Sequence, residues 1–88
     1  MQDINQENEQ KVLGVQQRVL DIINGINSTE AALNSSLSDL GINSIDFIKI
    51  IVTLEEEFDL EFENEMLLFD SFTDINSIVE YIVVKLSI

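Results

Sequence analysis

Apolar residues recur at intervals of three and four along three stretches of this chain, and no proline interrupts them. That spacing gathers side chains on one face of a helix. The missing proline removes the strongest local helix breaker. In the first stretch, Val12, Val15, Val19, Ile22 and Ile26 form the stripe, and Leu20 and Ile23 widen it. They predict a helix from about Glu7 to Asn24, with Gly25 as its stop and Gly14 a modest interior cost. In the last stretch, Ile75, Ile78, Val79, Ile82 and Leu86 share a face behind Thr73 and Asp74, a good helix-start signal. The β-branched cluster in "YIVVKLSI" would also suit a strand, but the upstream spacing favours helix.

The middle stretch predicts a helix from about Ser44 to Phe58, capped by Asn43 or Ser44, with Asp46 in its positive first turn. Before it lies a long connection, "NSTEAALNSSLSDLGIN", whose Ser, Thr and Asn side chains compete with regular structure. Its Ala32, Leu33, Leu37, Leu40 and Ile42 are expected to tuck it onto the core. A connection of this length in a compact domain is often functional. After the middle helix, "ENEMLLFDSF" predicts a short or irregular further helix. The expected fold is therefore all-α, a small bundle of three main helices plus one short one. One domain spanning residues 1–88 is expected, with residues 1–6 frayed.

Composition narrows the function. The chain has no cysteine and no histidine, so a protein thiol nucleophile, a zinc-thiolate site and the commonest general base are all missing. A serine nucleophile would have only carboxylates and four basic side chains to activate it. An enzyme is not expected. Seventeen acidic residues against four basic ones give a net charge of −13. Such a chain is repelled by nucleic acid and by anionic membranes, and attracted to basic protein surfaces. The same acidity is compatible with a purely solubilising role. No apolar run approaches the roughly 18 residues of a membrane span. The polar start "MQDINQENEQ" lacks the features of a secretory signal, so a cytoplasmic monomer is expected. No twelve-residue calcium loop ending in Glu is present.

The middle helix carries more apolar surface than one buried face requires. Phe47, Ile50, Ile51, Leu54 and Phe58 make one stripe. Ile45, Ile48 and Val52 make a second beside it, continued by Glu55. Asp46, Lys49, Thr53, Glu56 and Glu57 fill the remainder. Two readings of the second stripe are open. It is either a half-buried edge of the core, or an exposed face for a partner with an apolar groove and a basic surround. Three glutamates near a helix C-terminus oppose its dipole, so something other than helix stability accounts for them.

Ser44 stands where this helix begins. Serine there is usually a cap, but free backbone amides and the dipole also suit a phosphate ester on its hydroxyl. The segment "DLGINSIDFIKIIVTLEEEFDLEF" resembles the acyl carrier protein family, whose members carry a D-L-G-x-D-S-L-like signature and an apolar helix ending in acids before E-F. Asp39, Leu40, Gly41, Ser44, Ile45, Asp46, Leu54, Glu55, Glu56, Glu57 and Phe58 fall on that pattern. "INSIVEYI" resembles the family's last helix, and the likeness extends from about Val12 to Ile82.

The resemblance implies that Ser44 is esterified by 4′-phosphopantetheine, transferred from coenzyme A by a phosphopantetheinyl transferase. The arm's thiol would then carry intermediates as thioesters, which explains a chain without base or thiol of its own. It further implies a docking face of Asn43, Ile45, Asp46, Ile48, Val52, Glu55 and Glu56. Its partners would be the transferase, an acyl- or aminoacyl-loading enzyme, and ketosynthase, condensation or other thioester-processing enzymes. Three departures stand out. Asn43 replaces the aspartate usual before the serine, Lys49 is basic where an acid is common, and "ENEMLLFDSF" is long and apolar. They favour a freestanding carrier in a specialised polyketide or nonribosomal-peptide-like pathway. Housekeeping fatty-acid synthesis, or an unmodified interaction module, is the alternative.

Overall fold

The computed structural model describes residues 2–87, with only the backbone described for residues 2–8 and Phe69. Three helices appear in order: α1 (Gln2–Asn27), α2 (Ser44–Phe58) and α3 (Ile75–Leu86). Two single 3-10 turns, Asn64–Met66 and Phe69–Ser71, fill the α2–α3 connection. No strand occurs among the described residues, and "YIVVKLS" completes α3 and its cap. The expected all-α bundle is present.

Helix α1 is longer than its apolar stripe predicts at both ends. Its start at Gln2 precedes the expected Glu7, in a polar segment without periodicity to mark it. Met1, the first residue expected to fray, lies outside the described residues. At the other end the helix runs through Gly25 to Asn27. Gly25 keeps a right-handed φ, and the left-handed turn falls on Ser28 at φ 53°. Asn24 supplies the stop: its Oδ1 accepts from the Ala31 amide at 2.8 Å and the Thr29 hydroxyl at 3.3 Å. Amide side chains bind local backbone readily, and here one folds the chain back.

The core draws on the predicted faces, although Leu20, Ile26, Phe58 and Leu86 are only partly buried against it and Val12 is half-buried. Val15, Val19, Ile22 and Ile23 of α1 meet Phe47, Ile50, Ile51 and Leu54 of α2 and Ile75, Ile78, Val79 and Ile82 of α3, all buried. Leu37 and Ile42 pin the α1–α2 connection to this cluster, and Leu33 and Leu40 pack against it. Ala32 is exposed, and Ala31 packs in its place. Phe62 and Phe72 bring in the α2–α3 connection. Phe72 lies 6.3 Å from Phe47 and 6.0 Å from Phe62, while Tyr81 of α3 lies 4.8 Å from Phe62. Offset and edge contacts at these separations suit aromatic quadrupoles.

Polar bonds fix the loops around this core. Glu55 of α2 accepts the Phe62 amide through its carboxylate at 2.8 Å, and the Tyr81 hydroxyl accepts the Glu63 amide at 3.1 Å. Lys85 lies 3.5 Å from Glu63 and over the Tyr81 ring. Helix α3 begins one turn position later than Thr73 suggests, because Asp74 is its cap. No helix among the described residues is long and apolar enough to cross a membrane.

Candidate functional site

The approach to Ser44 is a wound turn. Leu40, Gly41 and Ile42 donate their amides to the carbonyls of Ser36, Ser38 and Leu37 at 3.2, 3.0 and 3.1 Å. Gly41 stands at φ 76°, in the left-handed region where a Cβ is strained. Burial of Leu37 and Ile42 anchors both arms of the turn. The following residue, Asn43, is extended, and its Oδ1 accepts the Asp46 amide at 2.8 Å. This is an N-cap bond, so of the two candidate caps Asn43 serves and Ser44 becomes the first helical residue.

That assignment frees Ser44. Its side chain is exposed, and no hydrogen bond joins its hydroxyl to another group among the described residues. Of the four leading amides of α2, Phe47 is bonded to the Asn43 carbonyl at 2.9 Å and Asp46 to the cap. Those of Ser44 and Ile45 have no protein partner among the described residues. Two such N–H groups at the positive end of a fifteen-residue helix are electrostatically suited to a nearby anion. The start of α3 is the contrary case. There the Ile75 and Asn76 amides go to the Ser35 and Leu33 carbonyls at 3.1 and 2.8 Å, and Ser77 bonds reciprocally with Asp74.

The second apolar stripe of α2 is exposed. Ile45, Ile48 and Val52 present 70%, 43% and 47% of their surface to solvent. Ile45 is the most open of the three, Ile48 and Val52 keep about half their surface covered, and full burial on α2 ends at Phe47, Ile50, Ile51 and Leu54. Glu56 is exposed and has no described partner. Asp46 is half-buried, with Oδ2 3.4 Å from the Asn27 amide nitrogen. Glu55 departs from the expectation of a free docking acid, because its carboxylate is half-buried and one oxygen is committed to the Phe62 amide. Glu57, by contrast, pairs with Arg18 of α1 at 2.9 Å. That hydrogen bond, with its charge, holds the Glu57 carboxyl below its ordinary range and raises the Arg18 guanidinium above its own. The three glutamates at the helix end thus divide into a loop tether, an exposed acid and a bridge to α1. Asn27 was not singled out by its spacing, since a single polar residue at a helix end carries no periodic signal.

Ser44 is thus an exposed serine at the start of a helix that carries an exposed apolar stripe. The sequence matches, over residues 10–82, the family described as the phosphopantetheine attachment site. It is 39% identical over 70 residues to an acyl carrier protein of Clostridium acetobutylicum, covering 75% of this chain and 88% of that one. It is 32% identical over 75 residues to an acyl carrier protein of Cyanidioschyzon merolae, covering 84% and 80%. A mitochondrial acyl carrier protein of Saccharomyces cerevisiae is 32% identical over 76 residues, 77% of this chain and 59% of that protein.

The chain belongs to the phosphopantetheine-binding carrier family. It is a non-catalytic carrier whose cofactor is covalently attached 4′-phosphopantetheine, and such carriers work with a phosphopantetheinyl transferase and acyl-processing enzymes. The residues at the start of α2 fit that group: an exposed hydroxyl, two unmatched amides and no carboxylate bonded to the hydroxyl. When bound, the group supplies the thiol that holds cargo as a thioester.

Proposed function

We propose that Ser44 is the attachment point and that this single domain carries acyl, aminoacyl or polyketide intermediates between partner enzymes. The observation that supports this most is the pair of unclaimed amides beside an exposed serine at the start of α2. Ser44 Oγ forms a phosphodiester with the phosphopantetheine half of coenzyme A. The pyrophosphate bond breaks, and the adenosine bisphosphate half leaves. The hydroxyl proton goes to a base on the transferase, because no carboxylate of this chain is bonded to it.

Partners dock on Asn43, Ile45, Asp46, Ile48, Val52 and Glu56, with Glu55 shaping the end of the face through its hold on Phe62. An apolar stripe with an acidic rim fits partners presenting an apolar groove among basic residues. The carrier acts as a cytoplasmic monomer. Asn43 before the serine and the exposed Lys49 favour a specialised pathway, polyketide or nonribosomal-peptide-like, over housekeeping fatty-acid synthesis. The fatty-acid reading is the second, and the relatives named simply acyl carrier protein suit it equally.

Incubation with coenzyme A and a broad-specificity transferase tests the proposal. Intact mass should rise by one phosphopantetheine group, and Ser44→Ala should abolish the gain while leaving the helical signal unchanged. No gain on the wild type, under conditions that load a control carrier, would overturn it.

A further inference from the structure

The first turn of α2 holds a carboxylate that does not behave as its position suggests. Asp46 is the third helical residue, where an acidic or polar side chain commonly returns to the cap's own amide. Ser77 does so at the matching position of α3, receiving the Asp74 amide at 3.3 Å. In α2 only half of that arrangement exists: Asn43 accepts from the Asp46 amide, but the reciprocal bond is not formed. The Asp46 Oδ2 instead accepts from Asn27 Nδ2 at 3.4 Å, across from the last residue of α1.

We infer that Asn27 is a positioning residue that draws the Asp46 carboxylate away from the Asn43 amide, keeping its negative charge off the helix start that receives the phosphate on Ser44. This rests on the attachment reading above. A carboxylate in the first turn is attracted to the same amides and the same positive helix end as a phosphate. Left to itself, it would close on the Asn43 amide beside them and repel a second anion at the same helix end. Held by Asn27, it points toward α1 and still contributes negative charge to the docking face.

The other half of the Asn27 side chain argues against a merely structural role. Its Oδ1 is buried with no hydrogen-bond partner. Leaving a buried acceptor unmatched opposes folding, and one long bond to Asp46 offsets little of that cost. An apolar residue would pack at this helix end without the penalty. What the amide supplies is a donor aimed at one carboxylate.

Two measurements test the inference. In apo protein, backbone amide exchange followed by NMR reads the start of α2 directly. Asn27→Ala should slow exchange of the Asn43 amide as Asp46 folds back upon it, while the thermal midpoint does not fall below that of the wild type. In transferase assays, kcat/KM for loading should fall about fivefold, the size a single side-chain hydrogen bond commands. In an Asp46→Ala background, Asn27→Ala should cost nothing further. Should Asn27→Ala fold poorly, the isosteric Asn27→Asp, which repels Asp46, should give the same loss and the same cycle. Unchanged Asn43 exchange, unchanged loading, or an equal loss in both backgrounds would overturn the inference while wild-type loading at Ser44 leaves the attachment reading standing. A wild type that does not load would overturn both.

Discussion

The starts of α2 and α3 are built from similar residues and do opposite things. Each has a capping side chain that takes the third helical amide, Asn43 from Asp46 at 2.8 Å and Asp74 from Ser77 at 2.9 Å. At α3 every remaining group is used. The α1–α2 connection lays its Ser35 and Leu33 carbonyls against the first two amides, those of Ile75 and Asn76, and Ser77 closes on Asp74. At α2 the connection turns away through Gly41, the reciprocal bond is missing, and the Ser44 and Ile45 amides have no protein partner among the described residues. Matched polar groups make the start of α3 a joint, and the start of α2 is left without that closure. One long connection does both, sealing one helix and presenting the other.

Substitutions can break this contrast at several strengths. Phe47 and Phe72 link the two ends through the core, 6.3 Å apart between ring centres. Phe47→Ala should cost about 3–5 kcal/mol, close to the whole stability of a small domain, and melt both starts together in a denaturant titration. Asp74→Ala removes the cap of the closed start and should cost about 1–2 kcal/mol, without slowing transferase loading of the folded fraction. Asn43→Ala, at the open and exposed start, should cost about 0.5–1 kcal/mol yet slow loading, because the first turn then frays around Ser44. A reversed order of those two unfolding midpoints would mean that the α3 joint is not the tighter one.

Smaller effects separate surface from scaffold. Ile48→Ser should leave stability within about 0.5 kcal/mol and weaken transferase binding about tenfold, as measured by titration calorimetry. An unchanged affinity would place the docking face elsewhere. The smallest expected effect is at the Arg18–Glu57 bridge, which is exposed. The Glu57 carboxyl is lowered in the fold, so its contribution is present above the ordinary carboxylate range. It is lost as pH falls through the lowered folded value. Glu57→Gln should therefore lower the melting midpoint by about one degree at neutral pH. In acid below that value the difference should vanish.

Much of this was legible in the residues. Three-four spacing located the core faces of all three helices, because burial imposes that period. The second stripe of α2 could be drawn on the same wheel, but whether it was covered depended on the packing of α1 and α3, which periodicity does not encode. Ser44 stood out through its segment, and its freedom followed only when Asn43 was seen to take the cap. Gly25 reads as the terminator of α1, whereas the bonds of Asn24 to Thr29 and Ala31 end the helix. The commitment of Glu55 to Phe62, the Arg18–Glu57 bridge and the Asn27–Asp46 contact join residues 7, 39 and 19 positions apart. Single polar pairs at such separations leave no pattern in a sequence, and only the fold brings them together.

The central claim is that the open start of α2, and no other serine, receives the arm. Peptide mapping of the enzymatically loaded protein tests it most directly. Ser28, Ser35, Ser36, Ser38, Ser71, Ser77 and Ser87 are all available as internal controls. The phosphopantetheine mass is expected on the fragment ion containing Ser44 and on none containing only the others. Modification of Ser77, at the sealed start of α3, or of any serine other than Ser44, would contradict it.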